Sequence, residues 1–327
     1  MDQVSPQPEV RRIFGNILFF FAVLTLPCVA WALFGWLQIL LPVIVFVYLN
    51  KYGTTIGSRF LMAGIGLALL AGLMTQSISS MLLSFSMVPA GYVLARSGSH
   101  GDTPAYSGLK GTAALALSWA VLIAGFGLAT GSSPYGSLIG SLNTGIDEAL
   151  TYYRQNKTLA PDVMMMLETT LYQMKVVLPI IMPAIGISCA LFLTWFTMVA
   201  GNLLVHRISG RDVWPRYRFW QLPDRLIWLG IGSAVLTFTL SGAVRDIAVN
   251  LLIVLSVVYC FQGFAVCVFF MNRWKVPLLI RSFIYVMIVF QSFGTLLLLV
   301  AGVADTWFDF RKLNPVVPPS AKDTTDE

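Results

Sequence analysis

Charge is what this sequence lacks, and it lacks it in blocks. Seven stretches, 13–50, 60–95, 111–146, 176–205, 226–244, 247–272 and 282–304, contain no Asp, Glu, Lys or Arg. Only 11% of the residues are charged, 57% are hydrophobic, and mean hydropathy is +0.77. A water-soluble core cannot enclose that much apolar surface, whereas a bilayer accepts it and drives charges to the span ends. Acid–base groups are equally scarce. Both histidines, His100 and His206, fall between the apolar stretches. That argues against a proton relay through buried carboxylates or imidazoles and leaves little scope for general acid–base catalysis. No ligand cluster suits a metal, and no glycine loop of the GxxxxGK[ST] type is present. The four cysteines (Cys28, Cys189, Cys260, Cys267) lie inside apolar stretches, where they act as small apolar side chains and not as a disulfide framework. The expectation is a non-enzyme with no cofactor, no metal and no catalytic residue.

What is present is span-length hydrophobicity. A helix needs about 20 residues to cross a hydrocarbon core of about 30 Å. Stretches 13–50 and 60–95 are too long for one span and too short for three, so each reads as a helical hairpin. The breaks fall near Phe34-Gly35 and near Met74-Thr75-Gln76-Ser77. Stretch 111–146 holds one span, to about Thr130, and then turns polar. The other four give one span each. Period-two alternation is absent, which argues against a barrel. The fold class is therefore all-α, a polytopic transmembrane bundle of about nine spans. Its parts are a five-span half at 1–130, an outside amphipathic segment at 131–174, a four-span half at 175–304, and an interfacial and disordered tail at 305–327. Arg11-Arg12 and the apolar run up to Ala30-Trp31-Ala32 also fit a cleaved signal peptide, but the run is long for one and continues into 36–50.

Fourteen of the 21 Lys and Arg fall on one side if the spans alternate, among them Lys51, Arg96, Arg207, Arg211, Arg273 and Arg281. By the positive-inside rule this sets the N-terminus inside and, with an odd count, the tail outside. The net charge of +6 is thus topological and implies no nucleic-acid partner. The partner it does imply is the bilayer of a bacterial inner membrane. Loop 206–225 interleaves Arg207, Arg211, Arg216, Arg218 and Trp220 with Trp214, Tyr217 and Phe219. Such a mixture suits lipid headgroups or a protein partner.

Gly64, Ala68 and Gly72 recur every four residues, a small-residue face for close helix packing or for another subunit. Pro161 suits the first position of a helix carrying Met164, Met165 and Met166, and Pro179 and Pro183 follow within the next span. Uncharged polar groups at depth, Gln262 and Gln291 with Asn250 near a span end, are candidates for a solute cavity or for bonds between helices.

From Trp214 onward the chain resembles the YybS-like family of bacterial polytopic membrane proteins. The resemblance rests on Trp220-Gln221-Leu222-Pro223-Asp224-Arg225-Leu226-Ile227-Trp228 and Asn250-Leu251-Leu252. It continues in Tyr259-Cys260-Phe261-Gln262-Gly263 with Phe269-Phe270, and in Asp305-Thr306-Trp307-Phe308-Asp309-Phe310-Arg311. Earlier, Leu41-Pro42 and Val88-Pro89-Ala90-Gly91 match its hairpin prolines. The family brings no catalytic residues with it. It is remotely similar to the substrate-binding membrane subunits of energy-coupling-factor vitamin transporters, which work with a second membrane protein and cytoplasmic ATPases. The resemblance thus implies a solute-binding or transport-associated subunit. A scaffold or accessory subunit acting through protein contacts is the alternative. An alanine-xxx-alanine pair, the usual partner contact of those transporters, is lacking in the first span.

Overall fold

Each apolar stretch becomes one to three helices, and local turn chemistry decides where they stop. The computed structural model describes residues 10–75, 78–156 and 160–313. Its helices are α1 (Val10–Val29), α2 (Trp31–Phe34), α3 (Leu37–Tyr52), α4 (Thr54–Thr75), α5 (Ile78–Ser99) and α6 (Pro104–Thr130). They continue with α7 (Pro134–Asn156), α8 (Pro161–Ser209), α9 (Leu226–Thr239), α10 (Ala243–Arg273), α11 (Leu278–Phe290) and α12 (Ser292–Phe308). No strand occurs among the described residues, so the chain is all-α. Residues 76–77 of the second expected break and the tail beyond 313 lie outside the described residues.

Caps account for several boundaries. Thr103 accepts the Tyr106 amide at 3.4 Å, with Pro104 in the first helical position of α6, where its missing N–H costs nothing. Gly131 ends α6 in the left-handed region, at φ 65°. Ser133 accepts the Gly136 amide at 3.1 Å and starts α7. Gly210 ends α8 in the same left-handed way, its N–H on the His206 carbonyl at 2.9 Å.

By length and composition, four helices reach across a bilayer: α4, α6, α8 and α10. Three shorter apolar segments accompany them: Ile13–Val29, Leu37–Tyr52 and Leu226–Thr239. The surface agrees with a lipid setting. Leu128 and Phe238 are 88% and 87% exposed, and the same holds along many helices. Exposed large apolar side chains in such numbers have no place in water.

The buried core joins α1, α3, α4, α5, α6 and α8 through Phe20, Leu24, Phe46, Leu94, Leu115 and Met198. The expected small-residue face of α4 is spent here. A methyl added to Gly64 would fall 2.6 Å from the Phe20 Cβ, one added to Gly72 would fall 2.5 Å from the Met81 sulfur, and Ala68 is fully buried. Internal packing on α1 and α5 therefore fills that face.

Two features depart from the expected topology. The last apolar stretch does not run straight, because Leu278–Ile288 and Phe293–Phe308 meet at 98°. And the tail, expected outside, meets loop 206–225, expected inside: Arg311 Nη1 donates to the Arg218 carbonyl at 2.8 Å. Three straight crossings between 226 and 304 would separate these residues by a bilayer. The bend at Gln291 breaks the stretch into two legs, and the chain beyond the second ends beside Arg218.

Candidate functional site

Gln262, Asp305 and Arg311 converge on the crossing of α10 and α12. The backbones come together at two glycines. A methyl at Gly263 would overlap the Leu298 carbonyl, and one at Gly302 would overlap the Tyr259 carbonyl. Only glycine permits that approach. Beside the crossing, the Gln262 amide donates to Asp305 Oδ2 at 2.7 Å. Arg311 Nη2 donates to the same oxygen at 2.7 Å, and Nε reaches both carboxylate oxygens at 3.2 and 3.4 Å. The two charged side chains are 1% and 0% exposed. Arg311 can turn back onto Asp305 because Asp309 adopts φ 38°, the left-handed conformation that closes α12. The pair is neutral as a unit, and Gln262 and the Arg218 carbonyl add hydrogen bonds to it, which is the condition for ions to persist in a dry interior. Chemically it is a lock. Asp305 Oδ2 takes donors from both Gln262 and Arg311.

Loop 206–225 is drawn into the bundle and does not simply lie at its surface. Asn202 on α8 accepts the amides of Val213 and Trp214 at 2.8 and 3.2 Å and donates to the Trp214 carbonyl at 2.9 Å. Trp214 is buried, stacks on Phe46 with ring centroids 5.3 Å apart, and donates its indole N–H to Ser107 at 3.1 Å. Tyr217 donates its hydroxyl to the Phe261 carbonyl, next to Gln262. The expectation that these rings sit among headgroups is thus corrected for Trp214 and Tyr217. Arg207, Arg211 and Arg216 do remain exposed, while Arg218 and Trp220 are half-buried. Arg218 lies 4.7 Å from the centre of the Phe219 ring.

From Ser107 the polar chain continues to Ser97 at 3.0 Å, then to Asp102 and on to Lys110 at 2.6 Å. Lys110 and then Ser97 hold the Asp102 carboxyl below its ordinary range by bonding to the charged form. A depressed folded pKa stabilises above the unfolded carboxylate range and is lost as pH falls through the folded value. The stability difference between the parent chain and Asp102→Asn should therefore be largest at neutral pH and close on acidification. Thermal unfolding followed across that range checks it.

Asn250 has a different task. Its Oδ1 accepts the Ala184 amide at 2.8 Å, and its Nδ2 donates to the Ile180 and Asp246 carbonyls at 2.7 Å each. Residues 180 and 184 are the pair that an unbroken α-helix bonds to each other. The amide thus braces α8 beside Pro183, whose ring frees the Pro179 carbonyl. Tyr135 on α7 donates to that carbonyl at 2.6 Å. Asn250→Leu should lower stability by about 1–3 kcal/mol, the cost of leaving buried backbone groups unpaired. Unfolding in detergent with increasing denaturing surfactant is the measurement.

Of the three amides singled out in the sequence, Gln262 and Asn250 spend their hydrogens on protein, and Gln291 stands exposed at the α11–α12 bend. They do not share a cavity. The ion pair was not foreseen, because Asp305 follows directly on an apolar run and read as an interfacial anchor. The available signal was a carboxylate six residues before an arginine, with a helix end between them. Among the described residues no group of His, Cys, Asp and Glu could hold a metal.

Residues 17–306 match a family model described as predicted membrane protein, DUF2232. The chain belongs to the DUF2232 family. No curated protein and no solved structure matches it. The resemblance to YybS-like proteins is consistent with this membership. The matched region takes in Gln262, Gly263, Gly302 and Asp305 of the lock, and ends before Arg311.

Proposed function

We propose that this DUF2232 protein is a non-enzymatic accessory subunit of a bacterial inner membrane, acting through protein contacts on its outer side. The observation carrying this reading is α8. At about 1.5 Å per residue its 49 residues make a rod of about 73 Å, more than twice a hydrocarbon core of about 30 Å. Its N-terminal part is clamped to α7 by Lys175–Asp147 at 2.6 Å and Arg154–Glu168 at 2.7 Å, with Tyr135 bonded at the base. The result is a stiff helical hairpin carrying exposed Tyr152, Met165, Met166 and Tyr172. A photo-crosslinking residue at Met166 should capture a discrete protein in native membranes, whereas one at Phe238, on the apolar flank, should not. Absence of any adduct from Met166 would remove the reading.

In the topology proposed with it, α1, α3, α4, α5, α6, α8, α9 and α10 cross, α11–α12 is re-entrant, and the N-terminus is inside. It is supported by the contact of Arg311 with Arg218 and by the Lys and Arg gathered on that side. Reporter fusions at Gly210 and after Lys312 should both read as cytoplasmic. Opposite readings would restore an odd count.

A second reading, a solute-binding subunit associated with transport, draws on the α6–α8 seam. There Thr112, Trp119, Ser188 and Thr194 carry buried polar atoms without a hydrogen-bond partner. Thermal-shift screening against vitamins and metabolites tests it, and no stabilisation by any solute would count against it.

A further inference from the structure

At the side of the molecule that carries the tail, the C-terminal ends of α3, α5 and α8 enclose a groove of about 530 Å³. That volume is in the range that holds a small ligand. Lys51 and Arg211 line it together with Asn50, Ser99 and Ser209. Neither cation has a carboxylate within ion-pair reach among the described residues. Lys51 lies only over the Tyr52 ring, 5.0 Å from its centre. Asp212 also borders the groove, with its carboxylate turned to His206 Nδ1 at 2.9 Å. Two cations without an ion-pair partner and the Ser209 hydroxyl at one concavity form a receptor for a phosphate: arginine supplies a planar fork and lysine a point charge.

The surroundings decide which phosphate. Val205 and Ser209 line the groove from α8, and Leu204 and Ile208 follow the same helix one position earlier, exposed at 39% and 52%. An apolar stripe beside a cationic groove at a bundle end suits a molecule with an anionic head and a hydrocarbon tail. We infer that this groove binds the phosphate headgroup of an anionic phospholipid, with Lys51 and Arg211 on the phosphate and the acyl chains along Leu204 and Ile208. This site is independent of the outer hairpin and its partner.

The two cations have an alternative employment, since Lys and Arg near helix C-termini also complement the exposed carbonyls there. The test separates the two roles. The full chain, purified in a neutral detergent, is titrated with dioctanoyl phosphatidylglycerol, dioctanoyl phosphatidylcholine or inorganic phosphate, and Tm is followed. Phosphatidylglycerol should raise Tm saturably, and phosphatidylcholine and inorganic phosphate should raise it little. Lys51→Gln and Arg211→Gln should each weaken the apparent affinity for phosphatidylglycerol about tenfold, one lost charge-assisted contact apiece. Arg245→Gln, far from the groove, should behave as the parent. A response to phosphatidylglycerol that survives both substitutions overturns the assignment. So does a lower lipid-free Tm with an unchanged lipid increment, the mark of carbonyl capping alone. An equal response to inorganic phosphate replaces the lipid by a free anion and overturns it as well.

Discussion

Replacing Arg311 with leucine will destabilise the folded chain by about 3–5 kcal/mol, the usual cost of removing one member of a fully buried ion pair. The reason is what remains. Asp305 would keep its burial and lose three of its four donor contacts, leaving Gln262 alone against a desolvated carboxylate. The Arg218 carbonyl would lose its donor too, so the tail would lose its tie to loop 206–225. Asp305→Leu combined with Arg311→Leu should recover most of the loss, because discarding both charges also discards their desolvation cost. Reversible unfolding in mixed micelles, run as a double-mutant cycle, reads the coupling directly. Additive single effects would show that the pair is not a lock.

The second large effect is expected at Gly263. Its added side chain would meet the Leu298 backbone, and main chain cannot swing aside as a flexible side chain can. Gly263→Val should therefore exceed the about 1–3 kcal/mol typical of an overfilled core, since relief requires moving α12 as a unit. Moving α12 also carries Asp305 away from Gln262, so Gly263→Val and Arg311→Leu should be less than additive. Gly302→Val attacks the same crossing from the other helix, against the Tyr259 carbonyl, and should behave alike. Gly186→Val has open space around it and serves as the control in unfolding measurements.

How much of this was legible differs from feature to feature. The turn after Phe34, the end of α6 at Thr130 and the start of α8 at Pro161 lie where composition and proline placement put them. Each depends on a few neighbouring residues: a break in hydropathy, a glycine able to take positive φ, or a proline that needs no N–H. Asn250 looked like a polar group awaiting a solute. Its partners, Ile180 and Ala184, are 70 and 66 residues away, and nothing local to Asn250 names them. Trp214 and Tyr217 looked like headgroup anchors because arginines flank them, yet Asn202 and Phe261 pull them inward. The Gly64, Ala68 and Gly72 stripe announced close packing, but only α1 and Met81 reveal that the contact is internal.

By itself the sequence determined the solvent, the helical class and the regions where charge is tolerated, since transfer into hydrocarbon is a sum over consecutive residues. The tertiary structure alone decided that the last apolar stretch is bent by 98° near Gln291 and that Asp305 and Arg311 meet Gln262 and Arg218. Pairing across such separations rests on the geometry of helices packed against each other, and a buried charge in hydrocarbon takes whichever partner that geometry delivers.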